Sequence, residues 1–380
     1  MKIFSREKIG DKRQIYFLGY RIFSYDKGGG QNQKFRGILK QDLTSEVEFY
    51  CVDSFEIYHY LPLYYDCLEA NIKARIVAEP PFINTVKGWF DYENAIKILE
   101  QNNIDYCTKA NENTKLAIST QVSSNLTKYN NKKALLCYGA GLNITYFLYL
   151  PQACEGFDYL LVHGECQRDI YSVYVDKNQI FTMGYPKHRD FFKNPPKVEE
   201  IKSKYQINTA KPLLMYFPTW DEDNSIQLFG EAIKALQNDF FIITKAHHCT
   251  FRLADKKKDL RTLYEISHLV LEGNSSFEEA AVLADIILID AKSGASTEVA
   301  YLNPKAKITL LSPRKNIDTY FIKRIVDTSK IINNPKNLTK DLILNATIPY
   351  RKDIGYFYSN NPDIKHFGEF YKEVIKNDKK

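Results

Sequence analysis

Short apolar runs alternate with longer helical patterns along most of this chain, and that alternation constrains its fold more than any other feature. The first half offers strands at Val47–Val52, Ala74–Ala78, Leu116–Ser119, Ala134–Cys137 and Tyr159–Val162, with helical stretches at Ile57–Ala70 and Tyr92–Gln101. The second half offers strands at Leu213–Phe217, Phe240–Thr244, Leu269–Leu271, Ile286–Ile289 and Lys307–Leu311, with helices at Ile226–Leu236, Phe277–Leu283 and Ala295–Leu302. Strand–helix alternation of this kind predicts an α/β fold built on parallel sheets. A chain of 380 residues is long for one core and predicts two domains.

Gly184-Tyr185-Pro186 and Asn194-Pro195-Pro196 break the pattern, so the domain boundary is expected near residue 190. On that division residues 31–190 form an N-terminal Rossmann-like domain and residues 191–362 a C-terminal one. Residues 1–30, ending in Gly28-Gly29-Gly30, read as an N-terminal appendage. Residues 363–380 carry a last helix, His366–Lys376, expected to cross back to the first domain.

Composition narrows the class. No apolar run approaches the roughly 18 residues that would span a bilayer. The basic start, Met1–Arg13, has no apolar segment behind it, so a cytoplasmic protein is expected. Cys51, Cys67, Cys107, Cys137, Cys154, Cys166 and Cys249 include no C-x-x-C pair and read as reduced core thiols. A net charge of +6 suits an anionic small molecule or an anionic membrane surface. The basic residues are dispersed and no nucleic-acid reading motif is present, which argues against nucleic acid. The basic ends, Lys2–Arg13 and Lys376–Lys380, are places for peripheral contact with anionic lipid, or simply solvated tails.

Ligands of open parallel sheets bind beyond the C-terminal ends of the strands. Asp290 to Glu298 is the strongest such segment: a strand ends, Ser293-Gly294 turns the chain, and a helix begins. The N–H groups and dipole at a helix start favour a phosphate, and Gly294 permits close backbone approach. Glu298, one turn on, is placed to accept hydrogen bonds from ribose hydroxyls. The same spacing also suits a capping arrangement of Ser293 and Glu298. Lys245-Ala246-His247-His248 follows another strand, and His247 there can donate to phosphate oxygens or protonate a leaving group. After Pro218, Thr219 offers a hydroxyl and an N–H to an anion, while Asp221, Glu222 and Asp223 read as caps for the next helix. Gly139, Gly141 and Asn143, after Tyr138, form a glycine-containing loop short of a dinucleotide fingerprint. His163 reads as structural, as do His59, His188, His268 and His366.

Together and in order, Gly184-Tyr185-Pro186-Lys187, Tyr216-Phe217-Pro218-Thr219-Trp220, Lys245-Ala246-His247 and Ala284-Asp285-Ile286 through Glu298 resemble the CDP-glycerol glycerophosphotransferase family. The resemblance runs from about Lys132 to about Leu311. The stretch from Ile15 to Tyr25 also looks like the start of several Gram-negative surface-polysaccharide transferases. The family implies a GT-B fold, two Rossmann-like domains with parallel sheets facing a cleft. It implies that His247 meets the donor pyrophosphate, that Thr219, Lys245, Ser293 and Gly294 hold phosphate, and that Glu298 binds ribose. It also implies no cofactor and no metal, protein N–H groups and histidine standing at the phosphates instead.

Three positions depart from the family pattern. Tyr138-Gly139 stands where the family has His-Gly, its proposed acceptor-side base, and a tyrosine with an ordinary pKa near 10 is a poor base at neutral pH. Asp221 replaces an Arg, and the family's Asp-x-Ser-Ser appears with Asp290 one residue early and Gly294 in place of the second Ser. The expected function is transfer of glycerol phosphate or another alditol phosphate from a CDP-linked donor to a hydroxyl of a bacterial surface polysaccharide or lipid-linked glycan. Tyr138 or its loop would assist that acceptor. A nucleotide-sugar glycosyltransferase on the same fold and a non-catalytic nucleotide-binding scaffold are the alternatives.

Overall fold

A strand that is apolar at every position must be covered on both faces, and Leu213–Phe217 is such a strand. In the computed structural model it lies at the centre of a parallel sheet. The structure describes residues 4–9, 12–17, 20–26, 45–80, 90–111, 113–120, 126, 132–139, 154–273, 275–315, 322–324, 331–346, 348–349 and 351–377. The chain divides into two compact units. One comprises Met1–Leu135, Gly156–Asp158 and His366–Lys380; the other comprises Leu136–Glu155 and Tyr159–Lys365. Residue 190, where sequence punctuation placed a boundary, lies inside the second unit.

In the first unit β1 (Phe4–Ile9), β2 (Lys12–Phe17) and β3 (Tyr20–Asp26) make a small antiparallel sheet of their own. Then β4 (Val47–Cys51), β5 (Ala74–Ala78), β6 (Tyr106–Cys107), β7 (Leu116–Ser119) and β8 (Lys132–Leu136) pair in parallel in the order β8-β7-β4-β5-β6. Helix α1 (Ser54–Glu69) starts at a capping box: the Asp53 side chain accepts from Phe55 N–H, and Glu56 returns to the N–H of Asp53. Helix α2 (Tyr92–Gln101) follows β5.

In the second unit β9 (Tyr159–Val162) and β10 (Ile180–Thr182) form a parallel pair. The main sheet holds β11 (Leu213–Phe217), β12 (Phe241–Lys245), β13 (Leu269–Leu271), β14 (Ile286–Asp290) and β15 (Lys307–Leu311), in the order β13-β12-β11-β14-β15. Alternate residues of each strand face opposite layers. Leu214, Tyr216, Ile242 and Leu288 pack with Ile226, Phe229 and Ile233 of α3 (Ile226–Ala235). Met215, Phe217, Ile243, Ile287 and Ile289 pack on the other side. Their partners there are Ala280 and Leu283 of α4 (Phe277–Leu283), with Val299 and Leu302 of α5 (Ala295–Leu302). Each fully buried Ile, Leu or Phe contributes roughly 1.5–3 kcal/mol from its burial.

The strand order reverses between β11 and β14. The chain walks outward from β11 through β12 to β13, then returns to lay β14 and β15 on the other side. Loops leaving β11 and β14 therefore part to opposite faces, and a crevice opens beyond their C-terminal ends. The terminal helix, α6 (Phe367–Asn377), belongs to the first unit and packs on α1, where the N–H of Phe367 donates to Asp66 at 2.9 Å. All seven cysteines are free thiols, and six of them are buried.

Candidate active site

Three adjacent strands, β12, β11 and β14, deliver the candidate donor residues to one edge of the sheet. Thr219 lies two residues beyond β11, His247 two beyond β12, and Ser293 three beyond β14. The site is thus assembled from residues distant in sequence by parallel pairing alone.

His247 is the N-cap of the short helix His248–Arg252, and its Nδ1 accepts the N–H of Cys249 at 3.2 Å. Burial, then the positive charges of Lys245 and Arg252, push its pKa down to about 3. The ring is neutral at pH 7. With Nδ1 accepting, its one proton sits on Nε2, which is a donor. The ring lies 5.8 Å from that of Trp220 and 4.0 Å from that of His248. Lys245 is buried, and its ammonium donates to the carbonyls of Glu272 (3.3 Å) and Gly273 (3.1 Å). Burial and the charge of Lys187 lower its pKa to about 8.

Ser293 and Gly294 open α5. Gly294 is the N-cap, and Ser293 before it accepts the N–H of Ala295 on its Oγ at 3.3 Å, a turn bond and not a helix cap. Glu298 makes no capping contact either. Its Oε1 instead accepts from Lys187 Nζ at 2.8 Å and lies 2.6 Å from Nε2 of His188. Burial alone would raise the Glu298 carboxyl; the Lys187 charge and the His188 hydrogen bond outweigh it and hold the pKa below the usual carboxylate range. At Gly294 a Cβ would meet nothing within 4 Å among the described residues, and φ is −57°, so neither their packing nor backbone conformation demands glycine there.

Thr219 differs from expectation. Its N–H donates to Asp290 Oδ2 at 2.8 Å and is not available to an anion; the hydroxyl is what it can offer. Asp290 Oδ2 also accepts the N–H of Ser225 at 3.1 Å, while Oδ1 has no hydrogen-bond partner among the described residues. Burial pushes this carboxyl up to about 7, against the hydrogen bonds from Ser225 and Thr219. The acids after Trp220 do not cap α3. Asp221 accepts from Asp223 N–H within its own turn, and Asp223 takes Lys292 (2.9 Å) and Arg314 (2.6 Å). Glu222 also pairs with Arg314 at 2.7 Å. Ser225 is the N-cap of α3, and Asn224 before it accepts the N–H of Ile226 at 3.2 Å. The turn satisfies the acids through cations from β14 and β15 loops, which no local spacing announces.

Tyr138 lies just past β8. Its carbonyl accepts the Tyr185 hydroxyl at 3.1 Å, and the carbonyl of Gly139 accepts Gln167 Nε2 at 2.7 Å. Gly141 and Asn143 fall outside the described residues. His163 is buried and neutral: burial lowers its pKa to about 4, and its Nδ1 sits 2.9 Å from the Gly184 carbonyl.

Sequence reasoning set His188 aside, and the structure gives it two partners. Its Nδ1 lies 2.8 Å from Glu278 Oε1 and its Nε2 2.6 Å from Glu298 Oε1. The signal was its position directly after Gly184-Tyr185-Pro186-Lys187, the segment that leads the family resemblance. Two groups among the described residues hold three possible metal-ligand atoms within 4.8 Å of one another: His247, His248 and Cys249, and separately Asp66, Glu69 and His366.

The sequence matches the family model described as CDP-Glycerol:Poly(glycerophosphate) glycerophosphotransferase over residues 69–290. The chain belongs to that family. Among curated relatives is a teichoic acid poly(glycerol phosphate) polymerase of Bacillus spizizenii, 28% identical over 155 residues, covering 34% of this chain. The match covers only 39% of that polymerase's own length. Among solved structures, the wall teichoic acid polymerase TagF superposes with a TM-score of 0.52 at 14% identity, covering 89% of this chain and 91% of that one. A UDP-GlcNAc 2-epimerase of Methanocaldococcus jannaschii superposes with a TM-score of 0.57 at 14% identity, covering 87% and 99%. At such identities these likenesses establish the fold, which is α/β of the GT-B type.

Proposed function

We propose that this chain is a transferase that moves glycerol phosphate, or another alditol phosphate, from a CDP-linked donor to a hydroxyl of a bacterial surface polysaccharide or lipid-linked glycan. The observation that carries the reading is the convergence of Thr219, His247 and Ser293-Gly294 at the sheet's switch point, with a neutral His247 presenting an Nε2 proton. Family membership supports it.

On this reading the acceptor oxygen attacks the distal phosphorus of the donor. A new P–O bond forms, the P–O bond to CMP breaks, and the hydroxyl proton leaves to a base. His247 Nε2 donates to a phosphate oxygen and so offsets charge that grows on the leaving CMP. The start of α5 and the Thr219 hydroxyl hold phosphate oxygens, and Glu298 takes the ribose hydroxyls. Tyr138 is assigned to the acceptor side. Protein groups take the place of a resident cation at the phosphates. The reading puts the protein in the cytoplasm, at the inner face of the membrane, with the basic chain ends meeting anionic lipid. No described helix is long and apolar enough to cross a membrane.

The test is a donor screen with purified full-length protein and a surface-glycan extract as acceptor. CMP release from CDP-glycerol or CDP-ribitol supports phosphotransfer. Release of a nucleoside diphosphate from a sugar donor alone would replace it with glycosyl transfer.

A further inference from the structure

His188 has no exposed side-chain surface, yet both of its ring nitrogens face carboxylates. An ionised carboxylate only accepts hydrogen bonds, so two of them satisfied by one ring require N–H on both nitrogens, the imidazolium form. Lys187 joins Glu298, and the four groups then sum to zero: two cations, Lys187 and His188, against two anions, Glu278 and Glu298. Breaking such a buried set leaves a charge without its partner, which is strongly unfavourable. The two carboxylates belong to the first turns of different helices, Glu278 in α4 and Glu298 in α5. Glu278 is itself fixed by Ser276, the N-cap of α4, whose hydroxyl donates to its other oxygen at 2.9 Å.

We propose that His188 is a positioning residue of the donor site: as an imidazolium between Glu278 and Glu298 it ties the starts of α4 and α5 together and fixes the Glu298 carboxylate and the Ser293-Gly294 turn for the nucleotide. The proposal rests on the reading of α5 as the donor-binding helix. Lys187 shares Glu298 Oε1 with the ring, so neither cation alone sets the carboxylate. The ring's other charged and titratable neighbours are few. Tyr185 packs edge-on at 4.6 Å, Tyr301 of α5 lies at 6.3 Å, the charge of Lys187 opposes the proton, and the charge of His188 in turn helps keep His163 neutral. Burial works against the proton on His188, and the hydrogen bonds to Glu278 and Glu298 outweigh it, so the pKa is raised. The arrangement therefore holds while the ring keeps both protons and comes apart as pH rises through that raised value.

The experiment pairs nitrogen NMR of histidine-labelled protein with calorimetric titration of CDP. In the unliganded protein, His188 should show two protonated ring nitrogens at pH 7, while His163, His247 and His248 show one each. His188→Gln should weaken CDP binding by about tenfold, the size expected when a charged buried hydrogen bond is lost. It should also remove one alkaline limb from the pH dependence of binding and leave the limb belonging to Lys245. Glu278→Gln serves if the first variant does not fold; it should move the His188 titration to lower pH and keep the Glu298 contact. A singly protonated His188 at pH 7 overturns the proposal, as does His188→Gln binding CDP like the wild type across pH. If UDP binds and CDP does not, the donor assignment falls while the same titrations with UDP still decide the role of His188.

Discussion

Asp290, the last residue of β14, accepts the backbone N–H of Thr219 from beyond β11 at 2.8 Å and so bridges the two strands between which the sheet reverses. The same oxygen holds Ser225, the residue that leads into α3. A single buried carboxyl thereby sets the path of the loop that carries Thr219 to the crevice.

That carboxyl makes stability depend on pH. Burial raises its pKa from the ordinary value of 3.8 to about 7. The folded protein holds this proton more tightly than the unfolded chain, so its contribution is fully present below pH 3.8 and is lost as pH rises through about 7. Asp290→Asn keeps a carbonyl oxygen for the two N–H groups and cannot ionise. Its unfolding free energy should fall less steeply between acid and neutral pH than that of the wild type, by about 1.4 kcal/mol for each tenfold difference in proton affinity between folded and unfolded chain. Parallel pH profiles for the two proteins would show that Asp290 does not titrate in this window.

Gly294 separates binding from folding. A methyl group there meets no atom of the described residues within 4 Å, and its φ of −57° suits any residue. Gly294→Ala should leave the melting temperature unchanged or slightly higher, since alanine restricts the unfolded chain by about 0.4–1 kcal/mol more than glycine. Its affinity for CDP, by calorimetry, should nevertheless fall, because the methyl occupies the approach to the helix start. Unchanged affinity would move the phosphate away from α5.

Chelation tests the claim that protein groups serve in place of a cation. CMP release should be the same in EDTA as in magnesium. Loss of activity in EDTA, restored by added metal, would contradict it and direct attention to the His247, His248 and Cys249 group.

The strands were the legible part of the fold. Ala74–Ala78, Leu213–Phe217 and Lys307–Leu311 end where their apolar runs end, as strands buried on both faces tend to do. Strand ends then pointed to Thr219, His247, Ser293 and Glu298, since parallel pairing brings such ends to one edge. What the sequence did not disclose was long-range pairing of polar groups. His188 meets Glu278 and Glu298 across 90 and 110 positions, and Asp223 meets Lys292 across 69. Periodicity carries no trace of such contacts. Local capping rules assigned Asp223 to a helix start, whereas its cations lie beyond β14 and β15.

His247 carries the central claim, that this histidine assists departure of CMP at the switch point. The most direct measurement is single-turnover CMP release from CDP-glycerol, with acceptor present, by wild-type protein and by His247→Ala. The account predicts release by the wild type and a loss of about a hundredfold or more in the variant, with its fold retained by circular dichroism. Near-normal release by His247→Ala would contradict it.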